Sequence, residues 1–312
     1  MFASVEAGQF EQAKAAAGRA LDLGVNYVDT APGYGRSEMV LGRVLSALGR
    51  TVVLSTKLGG RPRPFEPKNL DHLRRSLEES LRLLGRDTID IFLVHEPDRP
   101  GQYDWWTEWQ DVNGPVLDFL RELKRAGTIR TLGLGGTTVH EMAHLVKSGK
   151  FDVVLTAFNY SLLWREAAEP VIKSAKAKGM GVIVGSPLQQ GALATRYPAA
   201  TADSTYWLAP ARRAQFRALY ALVDECGIPL PELALRFVLS NPNVDCVLTG
   251  ARSVEEVEQN VAAAERGPLS AEILTRLDAI AAMLPHRPFQ EPFGLGGPLA
   301  NPDRYRGPGI AG

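Results

Sequence analysis

The sequence is poor in several features, and each shortage excludes a class of protein. It holds only two cysteines, Cys226 and Cys246. They are far from any CxxC spacing, so neither a disulfide framework nor a thiolate metal site is indicated, and buried free thiols in a reducing compartment are expected. It has no excess of either charge: 35 Lys and Arg balance 35 Asp and Glu, for a formal net charge of +0. Nothing there draws the chain to nucleic acid or to an anionic membrane surface. No apolar run approaches the length of about 20 residues that spans a bilayer. The opening MFASVEAGQF has neither the basic start nor the apolar stretch of a leader, so a cytoplasmic location is expected. Finally, Gly133-Leu134-Gly135-Gly136 lacks the third glycine of a dinucleotide fingerprint, which weakens a doubly wound sheet.

What is present is a regular alternation of short β-rich apolar runs and amphipathic helical stretches up to about residue 265, the pattern of a parallel sheet with crossover helices. Strands are predicted at Tyr27–Asp29, Val52–Thr56, Ile89–Val94, Thr131–Leu134, Val153–Thr156, Val182–Gly185 and Val244–Leu248. Helices are predicted at Phe10–Leu23, Glu38–Leu48, Leu70–Leu84, Val116–Arg125, Val139–Ser148, Glu166–Lys178, Arg212–Cys226, Glu232–Ser240 and Val254–Ala264. The fold class is therefore α/β, and a (β/α)8 TIM barrel is the expectation. Seven strand-helix units are found where eight are wanted, so the first strand is lacking or truncated. A start placed too far downstream is the preferred account; a strand fragment in Met1–Val5 and a genuinely open barrel are the alternatives. Residues 1–284 are expected to form one barrel domain. Residues 285–312, rich in Pro and Gly and carrying Phe289, Phe293 and Tyr305, form a tail that is either disordered or draped over the barrel.

In such a barrel the chemistry sits where strands end. Asp29, Lys57 and His95 close three consecutive strands, and Tyr34 lies in the glycine-flanked loop Gly33-Tyr34-Gly35. An isolated tyrosine titrates near pKa ~10. A neighbouring Lys57 ammonium would stabilise the phenolate and lower that value, and Asp29 would hold the ammonium in place. His95 would orient a carbonyl oxygen beside Tyr34, which donates a proton as hydride reaches carbon. Each residue alone has a plainer use, as helix cap, solvated strand end or core histidine; the four together point to carbonyl–alcohol interconversion.

The stretch Asp29-Thr30-Ala31-Pro32-Gly33-Tyr34-Gly35-Arg36-Ser37-Glu38, continuing to Leu41-Gly42, resembles the first signature of the aldo-keto reductase family. Ser55-Thr56-Lys57 and Asp90-Ile91-Phe92-Leu93-Val94-His95 resemble the next two, and the likeness runs from about residue 10 to 265. The resemblance implies a catalytic tetrad of Asp29, Tyr34, Lys57 and His95 and a nicotinamide dinucleotide cofactor. It implies cofactor contacts from Gly135, Asn159, Ser186, Leu188, Gly250, Arg252, Glu256 and Asn260. Ser186-Pro187-Leu188 is similar to the pyrophosphate segment, and Gly250-Ala251-Arg252 with Asn260 to the adenosine end. Arg252 engaging a 2′-phosphate would favour NADP(H), with NAD(H) possible.

The chain departs from the family pattern in places. Gly135-Gly136 stands where many members carry Ser-Asn, Asn159 where Gln is common, Gly185 where an aromatic ring often stacks, and Glu256 where Gln is frequent. Gly-Ser-Pro-Leu after the sixth strand resembles the sugar-oxidising branch, which includes L-galactose and D-threo-aldose dehydrogenases. The expected partner is a small carbonyl compound or sugar, with no nucleic acid and no membrane.

Tyr103-Asp104-Trp105-Trp106-Thr107-Glu108-Trp109 lies in a long loop after His95; with Trp164 and Tyr206-Trp207 its rings either wall a substrate pocket or pack the loops down. His140-Glu141-Met142-Ala143-His144 matches the HExxH zinc-hydrolase signature. On a helical wheel Val139, Met142, Ala143 and Val146 share one arc, and His140, Glu141 and His144 the opposite one, facing solvent. Lys147 stands where the extended motif wants glycine and no third ligand is evident, so a chance match is expected. A zinc hydrolase through His140 and His144 is thus the lesser alternative; a catalytically inactive nicotinamide-binding regulatory protein with an open barrel is the other.

Overall fold

The computed structural model describes residues 9–288, 291–292 and 294–305. Seven strands form one all-parallel sheet in the order β1-β2-β3-β4-β5-β6-β7: β1 (Tyr27–Asp29), β2 (Val53–Leu58), β3 (Ile89–His95), β4 (Ile129–Gly136), β5 (Val153–Ala157), β6 (Gly181–Gly185) and β7 (Cys246–Leu248). Helices intervene: α1 (Phe10–Asp22), α2 (Ser37–Leu48), α3 (Leu70–Leu84), α4 (Pro115–Ala126), α5 (His140–Lys147), α6 (Ser174–Ala177) entered through a π-helical stretch Ala168–Lys173, α7 (Pro210–Cys226), α8 (Leu230–Leu239), α9 (Val254–Glu265), α10 (Ala271–Ala282) and α11 (Gly296–Ala300). Sequential strand order with a crossover helix in each connection is the succession of a (β/α)8 barrel, with seven strands among the described residues. No strand precedes α1 among the described residues; the suggested strand fragment Met1–Val5 lies outside them.

Contacts group the chain into two compact units, one drawn from Met1–Leu155, Ser174–Val182 and Gly250–Val261, the other from Thr156–Lys173, Ile183–Thr249 and Ala262–Gly312. In the first, Leu21, Leu41, Leu45, Leu54 and Leu84 form a buried cluster with Val28, Leu48 and Val52 against it. Ala16 packs with Ala251 and Val257, and Leu23 and Val261 close around them. Asn69 caps α3 by accepting from the Asp71 and His72 backbone N–H groups, the bond that a short side chain makes before a helix. Gly42 is needed for the approach of α2 to the end of α3, because a Cβ there would lie 2.2 Å from the Leu83 carbonyl oxygen. Parallel register sets Asp29 beside Ser55, Lys57 beside Leu93 and His95 beside Gly135. Asp90 and Asp152 each accept a backbone N–H of the neighbouring strand, from Leu54 at 2.9 Å and Leu132 at 3.0 Å.

In the second unit, β6 pairs with β7 from Ile183↔Cys246 to Gly185↔Leu248. The side chain of Gln215 donates to the Ile280 and Ala281 carbonyls at 2.8 and 2.9 Å, tying α7 to the end of α10. Helix α10, capped by Ser270, lies beyond the point where the alternation was expected to stop, since no strand introduces it. Of the two outcomes open for the tail, its described part packs: Glu291, Leu295 and Leu299 are buried. Phe289 and Phe293 fall outside the described residues.

Three expectations are corrected. Cys226 and Cys246 are free but only half-buried, because each lies at the rim of its element. Lys57 is inside β2 rather than after it. And His144 does not face solvent: its ring stacks on Trp109 with centroids 4.8 Å apart, and Nε2 hydrogen-bonds the Trp109 carbonyl at 2.7 Å. The wheel could not anticipate a loop folding back over that face of α5.

Candidate active site

The first unit brings together the four residues predicted to carry the chemistry. Asp29 ends β1, Lys57 lies on β2 and His95 ends β3, so parallel pairing sets them on neighbouring strands, with Asp29 level with Ser55 and Lys57 level with Leu93. The loop carrying Tyr34 is a tight turn: the Tyr34 N–H bonds the Ala31 carbonyl and the Ser37 N–H bonds the Tyr34 carbonyl. Gly35 takes φ 57° in it, a left-handed conformation that glycine adopts without steric cost. Gly33 leaves the imidazole its place, because a Cβ there would sit 3.3 Å from His95 Cε1.

Lys57 Nζ donates to Asp29 Oδ2 at 2.6 Å and to the Thr30 carbonyl at 2.9 Å. It also lies 4.8 Å from the centroid of the Tyr34 ring. The rings of Tyr34 and His95 meet edge to face, with centroids 5.8 Å apart. Of this group Tyr34 is the exposed member, at 39%, whereas Lys57 is 2% exposed. Burial pulls the Lys57 pKa down, but Asp29 and Tyr34 outweigh it and the net shift is upward. The site therefore keeps a fixed positive charge under the phenol. Desolvation, with the Lys57 charge adding to it, holds His95 down at about 3, so the imidazole is neutral across the physiological range and serves as a hydrogen-bonding group rather than as an acid.

The sequence reading passed over a supporting layer. Ser55 donates to Asp29 Oδ1, and the Tyr27 hydroxyl donates to Ser55 Oγ at 2.9 Å. Both carboxylate oxygens of Asp29 are thereby occupied. The signal was available in the strand period of two, which places Tyr27 with Asp29 and Ser55 with Lys57 on common faces. Glu38, 2% exposed, accepts from Thr56 at 2.6 Å and pairs with Arg61, anchoring the start of α2 under β2.

The aromatic loop packs rather than opens. Trp105 and Trp106 are buried, and their indole N–H groups donate to the His95 and Pro97 carbonyls at 3.2 and 3.0 Å. The loop thus fixes the backbone of the candidate catalytic histidine. In the second unit Trp164 is also buried, whereas Tyr206 is 85% exposed. Among the described residues no group of three or more His, Cys, Asp or Glu side chains stands together as a metal site, and His144 is engaged by Trp109.

Of the residues expected to hold a dinucleotide, Gly135, Gly250, Arg252, Glu256 and Asn260 belong to the first unit. Gly135 has room, since a Cβ would make only ordinary contact, 3.6 Å from Lys57 Cε. Gly136 has none: a Cβ would meet Met142 Sδ at 2.2 Å and Asp98 Oδ1 at 2.7 Å. Asp98 in turn accepts from the Thr137 and Thr138 N–H groups at 2.8 and 2.6 Å, which accounts for glycine at position 136. Nothing would lie within 4 Å of a Cβ at Gly250, and Arg252 is exposed just before α9. An open backbone, a guanidinium and a helix start suit a phosphate-bearing ribose. Glu256 works against a phosphate there, because its carboxylate already accepts the Arg252 N–H at 2.6 Å.

Asn159, Ser186 and Leu188 belong to the second unit. Asn159 is buried and donates to the Ala157 carbonyl at 3.1 Å. Leu188 accepts from the Gly191 and Leu193 N–H groups. Ser186, Gln189 and Gln190 all take positive φ, 55°, 50° and 52°, an accumulation of backbone strain typical of a ligand-binding loop. Each unit by itself thus offers residues that suit part of a dinucleotide.

The parallel (β/α) sheet thus carries Asp29, Lys57 and His95 at or near consecutive strand ends, with Tyr34 beside them. The sequence model described as "Aldo/keto reductase family" matches residues 2–282, and the chain belongs to that family. It is 30% identical over 281 residues to L-galactose dehydrogenase of Arabidopsis thaliana, covering 86% of this chain and 84% of that protein. It is 30% identical over 274 residues to the NADH-specific methylglyoxal reductase of Escherichia coli (strain K12), covering 77% and 78%. Among solved structures, the holo form of an aldo-keto reductase from Bacillus halodurans superposes with a TM-score of 0.71 at 26% identity, covering 90% of each chain. The fold is therefore that of the (β/α)8 TIM barrel, with seven of its strands among the described residues, and the protein is an NAD(P)-dependent oxidoreductase. No helix among the described residues is long and apolar enough to cross a membrane.

Proposed function

We propose that this chain interconverts an aldose or a simple aldehyde or ketone with its lactone or alcohol, using NADP(H) in preference to NAD(H), with Tyr34 as the proton donor and acceptor. The observation that carries this reading is the set Asp29–Lys57–Tyr34–His95, held by a 2.6 Å ion pair and an edge-to-face ring contact. In the reductive direction hydride adds to the carbonyl carbon and the Tyr34 hydroxyl gives its proton to the carbonyl oxygen. The Lys57 ammonium stabilises the negative charge left on the phenol oxygen. Neutral His95 donates a hydrogen bond to the same carbonyl oxygen and so sets its orientation. The nicotinamide, when bound, supplies or accepts the hydride.

Asp29 keeps Lys57 charged and placed, with Ser55 and Tyr27 holding Asp29. Arg252, Gly250, Glu256 and Asn260 serve the adenosine end, Ser186 and Leu188 the pyrophosphate, and Gly135 and Asn159 the nicotinamide end. The likeness to L-galactose dehydrogenase supports a hydroxylated, sugar-like substrate. The test is Tyr34→Phe, which removes one oxygen. NADPH binding is expected to persist while kcat for aldehyde reduction and aldose oxidation falls by at least about 100-fold. Turnover that survives the change would overturn the assignment of Tyr34.

A further inference from the structure

The loop after β6 carries three non-glycine residues in the left-handed region, and its own contacts hold only part of it. Gln189 is buried, and its side chain donates to the Phe158 carbonyl at 2.8 Å and to Ser161 Oγ at 3.1 Å. Gln190, also left-handed at φ 52° and ψ 34°, is held differently. The C-terminal segment lies directly on it. A Cβ at Gly296 would stand 2.2 Å from the Gln190 carbonyl oxygen and 2.9 Å from Ala192 N, and a Cβ at Gly294 would stand 1.7 Å from Gln190 Oε1. At position 296 only glycine lets the two backbones close to this distance, whereas at 294 the neighbour is the end of the Gln190 side chain.

The segment is anchored on either side of that contact. Upstream, Glu291 receives Arg212 Nε at 2.6 Å and Nη2 at 3.1 Å, and the Trp164 indole N–H at 3.2 Å. The side chains of Arg212 and Glu291 are 1% and 0% exposed. The Arg212 guanidinium also lies 4.5 Å over the Trp164 ring. A buried, two-pronged ion pair gains little net stability but tolerates no displacement, so it specifies one docked position. Downstream, Leu295 and Leu299 are 1% and 2% exposed, and Tyr305 packs on Trp207 with ring centroids 4.6 Å apart.

We propose that the described C-terminal segment is a strap that holds the 186–190 loop in its strained, cofactor-ready conformation, with Gln190 as the point of contact and Gly296 as the residue that lets it close. In that role Gln190 and Gly296 are positioning residues for the dinucleotide. The consequence for cofactor binding rests on the function proposed above; the mechanical coupling between strap and loop does not.

The experiment uses the full chain in four forms: wild type, Gly296→Val, Glu291→Gln and the double variant Gly296→Val/Gln190→Gly. Two quantities are measured: amide hydrogen exchange over residues 186–193 in the cofactor-free protein, and the dissociation rate of NADPH by stopped-flow fluorescence. Gly296→Val is expected to raise exchange in 186–193 and to speed NADPH release about tenfold, leaving exchange over 53–58 and 89–95 unchanged. Glu291→Gln, nearly isosteric, should do the same to a lesser degree and serves if the valine variant does not fold. Glycine at 190 adopts the left-handed conformation at little cost, so the double variant should recover much of the protection and of the slow release. Unchanged exchange in 186–193 with the strap released would overturn the proposal, as would a double variant no better than Gly296→Val. If wild type binds no NADPH, the proposed function fails, while the exchange measurement still decides the coupling.

Discussion

Lys57 Nζ and Asp29 Oδ2 lie 2.6 Å apart with side chains 2% and 11% exposed, a charge pair that neither partner leaves without consequence. Desolvation of the ammonium is offset by the carboxylate and by the Thr30 carbonyl. Asp29→Asn removes the counter-charge and keeps the shape. Stability is expected to fall by about 3 kcal/mol, the lower end of the cost of breaking a buried pair, and kcat to fall with it. Urea unfolding at pH 7 beside steady-state kinetics checks both. A variant as stable as wild type would mean that Lys57 is served by the backbone carbonyl alone.

His95 ties stability to pH. Its folded pKa is depressed to about 3, whereas the unfolded imidazole titrates near ~6.5. Below the unfolded value the denatured chain binds a proton that the native chain refuses. The stabilising contribution is therefore intact above that value and is lost as pH falls toward the folded one, at no more than about 1.4 kcal/mol per pH unit. His95→Asn should flatten the decline of Tm between pH 6.5 and 4 relative to wild type. Parallel declines in the two proteins would show that other groups carry the acid sensitivity.

The Glu256 carboxylate takes the Arg252 N–H at the start of α9, where a phosphate oxygen would otherwise compete. Glu256→Gln removes the negative charge and leaves a weaker acceptor. NADPH is expected to bind roughly three- to tenfold tighter, NADH to change little, and the gain to shrink at high salt. Fluorescence titration with both cofactors at two ionic strengths measures this. An equal gain for NADPH and NADH would assign Glu256 to the adenine rather than to the 2′-position.

Much of the candidate site was legible because it is local in the sheet. Asp29, Lys57 and His95 end or nearly end consecutive parallel strands, and in such a sheet consecutive strand ends are neighbours by construction. The alternation of apolar runs and amphipathic helices set the order of seven strands, and the glycines around Tyr34 announced a turn. Where no strand announced a helix, as at α10, periodicity gave no reason to extend the pattern.

What the tertiary structure decided has a common physical basis: it depends on which surfaces meet, and periodicity is silent about that. His144 lies on the polar arc of α5, yet a loop more than 30 residues upstream covers it with Trp109. Gly136 looks like a lost side chain until Met142 and Asp98 are found in its space. The indoles of Trp105 and Trp106 pack down because carbonyls wait for their N–H groups. Glu291 and Arg212, 79 residues apart, sit in stretches with no shared pattern, and only close packing reveals that the tail has one place to go. The sequence by itself determined the strand order and which residues stand at the strand ends, since both follow from short-range periodicity; steric fit between distant segments decided the rest.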